Sequence, residues 1–574
     1  MKRVSIALLG ALLASGCSSG GSVGDDADGG GEDDGSTVVG EGDPTAISIE
    51  IESPERGTVA QTTDVVVTGR VTSAADATID EVTVNGNQAT LAGDGSFQVA
   101  LPLVEGITLI ETIASDSAGN QAIDARGVMA GNLVDQTTPV VDGVIANVSG
   151  EAMTGLSSEI SALANGTDFT TLALGLNPVV NTGDGCNDAK VFVESIQHSG
   201  VEVGVGPISG GIAADISVRQ LVVTGRVEFE ALCIGGSAGF TMTADSYDVG
   251  GSIVPGLSGS DITVGLEGVT STFAGFGIDV SGVPGFVESL FEGQARDRIA
   301  EILRDQISQM IPSLANDFIG GFLAESVTVN VLGQNLTLDI TPTTMSWTEA
   351  GGAIALDTIT TVEGVEGALY VSSPRPRPSD ADLGSTGLRV AVADDVLNQL
   401  LASVWASGAL DETIVPVPGD AVSAAFGAEV ETVTLTLILP PVANFDTTTG
   451  TAHLTLGDLM LEALGPGGEV VASFVLAAEI ELAVETSSEG AVRITTRAPR
   501  ILAQVLAQSE TLLTPLTGEK IAAIAELGIS QVSLLADDLL ENLPVPGIAG
   551  ATITSPTIQP SGGYLLLGGS LAFE

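Results

Sequence analysis

Basic and aromatic side chains are scarce in this 574-residue sequence. Lysine and arginine total 18 against 73 acidic residues, which gives a net charge of −55, and the three lysines are scattered. Nucleic acids are bound by clustered basic residues that release counterions from the phosphates, so no nucleic-acid partner is expected. The acidity is explained by solubility through mutual repulsion, and the acidic run at 25–35 lacks the ligand spacing of a calcium loop.

The sequence also lacks a recognisable catalytic set. Its two histidines, His198 and His453, stand in strand-like contexts without a neighbouring nucleophile or acid cluster. The Gly-x-Ser-x-Gly match GCSSG at 16–20 falls in the leader region, and no lysine follows the glycine spacing of a phosphate loop. We therefore expect no enzymatic activity, no cofactor and no metal site.

Long apolar runs are missing as well, despite a mean hydropathy of +0.40. The run from Val4 to Ala14 is shorter than the roughly 18 residues of a membrane span. It follows a basic start and precedes Cys17, which predicts an export signal over 1–17. LASGC resembles the lipobox of bacterial lipoproteins, whose cysteine is lipidated; an ordinary signal peptide is the alternative. The resemblance implies lipid attachment at Cys17, and Ser18 implies an outer-membrane location, either periplasmic or surface-facing.

Cysteine is rare, with three in the whole chain. If Cys17 carries the anchor, Cys186 and Cys233 remain. An exported protein meets an oxidising compartment, so a disulfide between these two is the default expectation. A metal site formed by them with His198 is the alternative, but it falls short of four ligands.

Two N-terminal segments differ sharply in composition. Residues 18–45 are rich in Gly, Ser, Asp and Glu and predict a disordered acidic tether. Residues 46–130 alternate short strands with turns, including an Asn85-Gly86 hairpin turn. This pattern resembles bacterial immunoglobulin-like modules, β-sandwiches that serve as spacers or stalks.

A strand–helix module occurs twice in the rest of the chain. In residues 143–166, strand-like alternation meets a polar break at Ser149, and apolar residues then recur at helical spacing up to Gly166. Residues 387–410 repeat this order and end at Gly408. A spacing of about 240 residues is far above that of stacked repeats, so the duplication indicates two related domains.

Each module opens a longer β-rich region. After the first come many strands and then an amphipathic helix over 285–311, which Pro312 is expected to end. A proline-rich linker follows at 372–386. The second region contains further strands and a long helical stretch predicted from about 498 to 543.

These two regions, 133–371 and 387–574, resemble the bactericidal/permeability-increasing and lipopolysaccharide-binding proteins of the tubular lipid-binding superfamily. The likeness lies in the second module, in VPGFVESLFEGQARDRIAEILRDQI and in the closing TSPTIQPSGGYLLLGGSLAFE. It implies an α+β fold with two tandem helix-wrapped curled antiparallel sheets (BPI-like barrels), preceded by an all-β immunoglobulin-like sandwich.

In that family, acyl chains lie in an apolar slot between a helix and a curled sheet. Burial of each methylene is worth about 0.8 kcal/mol, which favours a continuous apolar cavity for a long-chain ligand. The resemblance makes the apolar stripes of the predicted helices candidate lipid-binding residues. They are Met153, Leu156, Ile160, Leu163, Phe286, Leu290, Ile299, Leu303, Ile307, Val396, Leu400 and Val404. Ordinary packed core has the same period and stays the alternative for each of them.

The predicted function is that of a membrane-anchored lipoprotein that binds, or also transfers, phospholipid or another long-chain apolar ligand. Family members that neutralise lipopolysaccharide are cationic at the tip of the first barrel, whereas this chain is acidic, so charge-based binding of lipid A is not expected. The alternative is a surface adhesion or structural lipoprotein with solid barrels and an immunoglobulin-like stalk. No protein partner is indicated.

Overall fold

A computed structural model describes part of the chain. The described residues are 37–39, 47–74, 76–166, 168–184, 187–259, 261–280, 282–283, 287–288, 291–320, 326–331, 334–373, 375–378, 387–415, 426, 430–445, 452–486, 492–496, 499–509, 520–525, 529 and 551–573. Strands dominate these residues, and most pair antiparallel. Among the described helices, none has a stretch long and apolar enough to cross a membrane.

The predicted N-terminal β domain is present as a sandwich. The first ten strands are β1 (Thr37–Val39), β2 (Ile47–Ser53), β3 (Thr58–Ala60), β4 (Asp64–Ser73), β5 (Ile79–Val84), β6 (Asn87–Gln88), β7 (Thr90–Leu91), β8 (Ser96–Pro102), β9 (Gly106–Asp116) and β10 (Gln121–Ala130). One sheet has the order β2-β4-β8-β7 and the other β3-β10-β9-β5-β6, with an apolar core between them. Asn85 and Gly86 have φ of 47° and 72°, which confirms the predicted tight turn.

A seven-stranded central sheet unites the two halves of the remaining chain. Its strands are β12 (Val140–Ser149), β20 (Ser326–Val331), β21 (Gln334–Thr348), β22 (Gly351–Val362), β24 (Leu388–Ala393), β32 (Ala551–Ser561) and β33 (Tyr564–Phe573). They lie in the order β20-β21-β22-β12-β24-β33-β32. A separate two-stranded sheet joins β11 (Asn132–Asp135) to β23 (Leu369–Ser372).

The opening strands of the two modules, β12 and β24, are direct antiparallel neighbours. Val144 lies opposite Val392, and Val148 lies opposite Leu388. On its outer side each strand pairs with the last strand of the hairpin that closes its own half, β22 for β12 and β33 for β24. The duplication therefore places two similar halves side by side on one continuous sheet.

Each half also has a sheet of its own. The first-half sheet is a curled half-barrel of β13 (Val180–Asp184), β14 (Asn187–Gln197), β15 (Gly200–Ile208), β16 (Gly211–Ala231), β17 (Ile234–Ser258), β18 (Asp261–Ala274) and β19 (Gly277–Val280). The second-half sheet contains β25 (Glu412–Ile414), β26 (Thr432–Leu437), β27 (Val442–Asn444), β28 (Ala452–Leu464), β29 (Val470–Thr486), β30 (Val492–Thr496) and β31 (Arg500–Gln508). The short strand β1 joins the second-half sheet at the edge of β31.

The helices are few, and two of them follow the opening strands directly. The longer ones are α1 (Gly150–Asn165), α2 (Phe169–Leu174), α3 (Arg296–Gly320), which a π-helical turn at Phe291–Ala295 precedes, and α4 (Asp394–Ala406). The Ser149 hydroxyl accepts a hydrogen bond from the Ala152 amide (3.2 Å) and so caps the start of α1. Gly408, with φ of 73°, closes the turn after α4. Both predicted strand–helix modules are confirmed.

Three sequence-based expectations are wrong in detail. The helix predicted to end before Pro312 continues as α3 to Gly320, so the proline removes one backbone donor inside the helix without ending it. Residues 500–508, expected to be helical, form β31, which pairs with β29; pairing partners outweigh an ambiguous apolar pattern. Within the tether predicted to be disordered, residues 37–39 form β1 and pair parallel with β31.

The N-terminal sandwich is packed against the second half. The Arg56 guanidinium donates to the Ala125 carbonyl (2.6 Å) and to the fully buried carboxylate of Asp458 (3.2 Å). The Asp458 carboxylate also accepts the amides of Gly57 and Gly127, each at 3.0 Å. Burial raises the pKa of Asp458, and the Arg56 charge opposes that rise. The sandwich therefore contacts the second half directly, through Asp458.

Candidate functional site

The helices α1 and α3 and the first-half sheet enclose one apolar cluster. Helix α1 packs on β15, and α3 packs on β17 and β18. Both helices present one apolar stripe to the sheet, as their sequence periodicity predicts. Six of the candidate lipid-binding residues belong to this cluster: Met153, Leu156 and the half-buried Ile160 from α1, and Ile299, Leu303 and Ile307 from α3.

A buried tyrosine contacts α3 from the sheet side. Tyr247 on β17 is fully buried, and its hydroxyl donates to the Ala300 carbonyl at 2.5 Å. Its ring lies 4.6 Å from the ring of Phe273. Burial raises the pKa of Tyr247, so the hydroxyl stays neutral. Sequence reasoning missed this residue, although its rarity as one of three tyrosines was a usable signal.

The boundary between α1 and β15, which we call the α1–β15 seam, is closed by side chains of the helix. Ser157, Ser161 and Asn165 lie four residues apart and therefore on one face of α1. Their oxygens accept hydrogen bonds from alternate amides of the strand: Val205 to Ser157 (3.0 Å), Val203 to Ser161 (2.8 Å) and Val201 to Asn165 (2.6 Å). The seam thus satisfies a sheet edge that no neighbouring strand covers in the described part of the chain.

The corresponding helix of the second half, α4, is surrounded by protein. Every residue from Asp394 to Val404 is buried. Leu400 and Val404 pack in the second-half core, whereas Val396 faces a separate central cluster that includes Tyr370 and Tyr564. The apolar candidates of α4 therefore divide between two clusters, and the sequence period alone did not reveal this.

Buried polar side chains fix α4 in place. The Asn398 amide pairs with both backbone groups of Ala443, accepting at 2.7 Å and donating at 3.1 Å. The Gln399 amide accepts from the Thr360 amide (2.6 Å) and donates to the Gln136 carbonyl (2.7 Å). Fully satisfied polar groups of this kind specify one packing arrangement, because leaving any of them unpaired costs about 1–3 kcal/mol.

A buried ionic cluster joins the start of α4 to the linker between the halves. The Arg375 guanidinium lies 2.6 Å from the Asp395 carboxylate and 3.5 Å from that of Asp394. The Ser372 hydroxyl donates to Asp395 (2.8 Å), and the Arg375 guanidinium lies over the Tyr564 ring. Burial and then the Asp395 charge raise the pKa of Asp394 to about 7. The PRPRP run of the linker contains Arg375, but nothing in the sequence indicated that its partners would be Asp394 and Asp395.

Several of the remaining predicted residues lie outside the described part of the chain. The side chain of Leu163, and Phe286, Leu290, Cys17 and Cys186 as whole residues, lie outside the described residues. Cys233 is disulfide-bonded, and its pairing with Cys186 stays a prediction. The His198 ring packs edge-on against Phe169, with centroids 5.5 Å apart. In the described ranges no group of three or more metal-ligating side chains comes together.

A groove of about 490 Å³ lies on the first-half sheet. Its polar lining comprises the carboxylates of Glu202, Asp215 and Asp248 with hydroxyl groups and glycines, and Ile216 and Val249 of the apolar cluster also line it. The Asp248 carboxylate accepts the hydroxyls of Ser217 (2.6 Å) and Ser246 (2.7 Å). Its carboxylates are unsuited to an acyl chain, so the groove does not belong to the apolar site.

Comparison with known proteins gives one family match and distant structural likenesses. Residues 48–132 match the family model described as glucodextranase, domain B. No curated protein matches the chain. The crystal structure of lipopolysaccharide binding protein is 14% identical with a TM-score of 0.45, and P47 of Clostridium botulinum E1 is 8% identical with a TM-score of 0.26. Each alignment covers 76% of this chain and 100% of the other. Both TM-scores are below 0.5. The N-terminal sandwich is thus the part of the chain with a family match, and it is similar to glucodextranase domain B.

Proposed function

We propose that this chain is a membrane-anchored lipoprotein that binds phospholipid or another long-chain apolar ligand between the helices and the curled sheet of its first half. The observation that carries the proposal is one apolar cluster to which α1, α3, the first-half sheet and strands of the central sheet all contribute. A ligand there would exchange contact with water for contact with aliphatic side chains, at about 0.8 kcal/mol per methylene.

The α1–β15 seam supports the same proposal as an entry route. It is held by hydrogen bonds that the strand amides donate to side chains of the helix, and not by a continuous backbone ladder. Each such bond contributes only about 1 kcal/mol net, so the hydrogen bonds that the three strand amides donate resist separation of the helix from the strand by roughly 3 kcal/mol. An acyl chain entering here would meet Ile160 and Leu156 first.

The anchor is proposed at Cys17, with the protein held at the outer membrane. Several acyl chains on one residue give stable attachment, whereas a single chain does not. Incorporation of labelled palmitate into the chain, and its loss in Cys17→Ser, would be the direct measurement. Incorporation that persists in Cys17→Ser would contradict the anchor.

Ligand binding is tested by native mass spectrometry and solvent extraction of the Cys17→Ser chain, purified without detergent. We expect lipid in a near-integer ratio to protein. Ile160→Trp should lower that ratio, because the larger ring fills space beside the seam, whereas Ser158→Trp, on the exposed side of the same helix, should leave it unchanged. A chain that carries no lipid and takes up none when it is added would favour the structural or adhesive alternative.

A further inference from the structure

The hairpin formed by β16 and β17 ends in exposed aliphatic side chains. These are the two longest strands of the described chain, at 21 and 25 residues, and only Leu232 and Cys233 connect them. The Leu232 side chain is 83% exposed and Ile234 is 72% exposed, the highest values among large apolar side chains in the described ranges. We call Leu232, Cys233 and Ile234 the hairpin tip.

The backbone of the hairpin tip does not favour these residues. Leu232 and Cys233 have φ of 52° and 64°, a left-handed conformation that suits asparagine and glycine and disfavours bulky side chains. Two other two-residue turns of this kind in the described residues use Asn85-Gly86 and Gly562-Gly563. Folding alone would select the same residue types at the hairpin tip, so the leucine there serves a purpose outside the fold.

We propose that the hairpin tip inserts into an uncharged or zwitterionic lipid surface. Two aliphatic side chains at the end of a narrow hairpin form a small wedge. Their surface area is far below the roughly 1,200 Å² that a stable protein interface buries. The tip also lacks the aromatic and arginine anchors typical of protein-binding hot spots. A bilayer, by contrast, accepts a small apolar wedge.

The charges behind the tip define the kind of lipid surface. Glu230 and Asp188 lie opposite each other on β16 and β14, directly behind the turn. One basic side chain, Lys190, lies a step further from the turn on β14. The nearest arginine, Arg226, is paired with two glutamates, each at 3.2 Å. Carboxylates therefore outnumber basic groups behind the tip and repel anionic head groups, so attraction rests on the apolar side chains.

The tip is also held rigidly enough to act as a wedge. The Leu232 amide donates to the Asn187 side chain (3.3 Å), and Cys233 is disulfide-bonded. The adjacent Gly235 has open space where a side chain would be, so nothing shields Ile234 from the surroundings. Insertion therefore requires no rearrangement of the strands.

The test places a fluorescent side chain at the tip of the full chain. Ile234→Trp, mixed with phosphatidylcholine vesicles that carry brominated acyl chains, should show loss of its added emission and a blue shift, measured against the unsubstituted chain. Val104→Trp is the matched control, because Val104 is 59% exposed in the N-terminal sandwich, and its emission should be unaffected. Equal emission from both variants with and without vesicles would overturn the inference.

A second variant separates insertion from misfolding. Leu232→Asn suits the left-handed turn, so it should keep or raise thermal stability while it reduces quenching in the Ile234→Trp background. Unchanged quenching, or quenching that requires phosphatidylglycerol in the vesicles, would contradict the proposal. The inference does not rest on an interior ligand: lipid content by native mass spectrometry should be the same with and without Leu232→Asn.

Discussion

The two strand–helix modules begin alike and are used differently. Helix α1 is one-sided, with apolar residues toward the first-half core and serines bonded to the edge of β15. Helix α4 is buried on all sides and joined by polar side chains to the linker, the central sheet and β27. The difference indicates that α4 is fixed by protein on every side, whereas α1 is held at one boundary by side-chain hydrogen bonds, where we propose that ligand enters.

We expect the largest loss of stability when the charge that holds α4 to the linker is removed. Arg375→Met leaves the Asp395 carboxylate buried without its partner at 2.6 Å. We expect the free energy of unfolding to fall by about 3–5 kcal/mol, since an uncompensated buried charge is costly. Denaturant unfolding measures this loss. Arg377→Met, at an exposed arginine two residues further along, should change it by less than about 0.5 kcal/mol; similar losses in both variants would refute the role of the cluster.

The pH dependence of stability tests the same buried cluster at the start of α4. The pKa of Asp394 is raised to about 7, so the folded chain binds a proton that the unfolded chain releases near pH 4. Stability from this group is therefore present at low pH and is lost as pH rises from about 4 to about 7, on the order of 1 kcal/mol per pH unit. Asp395, Arg375, Tyr370 and Tyr564 are the ionisable groups around it.

Asp394→Asn should remove this slope, as followed by the unfolding midpoint between pH 4 and pH 8. Asp64→Asn, at an exposed position of the N-terminal sandwich, should leave the slope as it is. A slope that survives in Asp394→Asn would show that another group is responsible.

The smallest expected effect is at the α1–β15 seam. Ser161→Ala removes the acceptor of the Val203 amide, and water can replace it at this half-buried position. We expect a loss of about 1 kcal/mol and faster hydrogen exchange at Val203, with little change at central strands. Ser158→Ala on the exposed face of α1 is the control. Equal protection of Val203 in both variants would mean that the seam is closed by other contacts.

How much of this could be predicted depends on the range of the interaction. Alternation and helical spacing located β12, α1, β24 and α4, and Asn85-Gly86 located a turn, because these signals lie within a few neighbouring residues. The same signals failed at β31, whose strand state depends on pairing with β29, and at Pro312, which α3 passes through. The candidates of α1 and α3 whose side chains are described share one cluster, but Val396 packs in a different cluster from Leu400, which residue spacing alone does not show.

By itself the sequence determined the β-rich composition, the duplicated module and the strongly acidic charge, since each follows from residue types and local order. Tertiary structure alone decided that β12 and β24 would pair at the centre of one sheet, that Arg56 would join the sandwich to Asp458, and that Asp394 and Gln399 would be buried. The physical reason is that the free energy of a buried polar group, whether in a strand, a loop or a helix, depends on the hydrogen-bond or ionic partner that it meets. Here those partners come from distant segments of the chain.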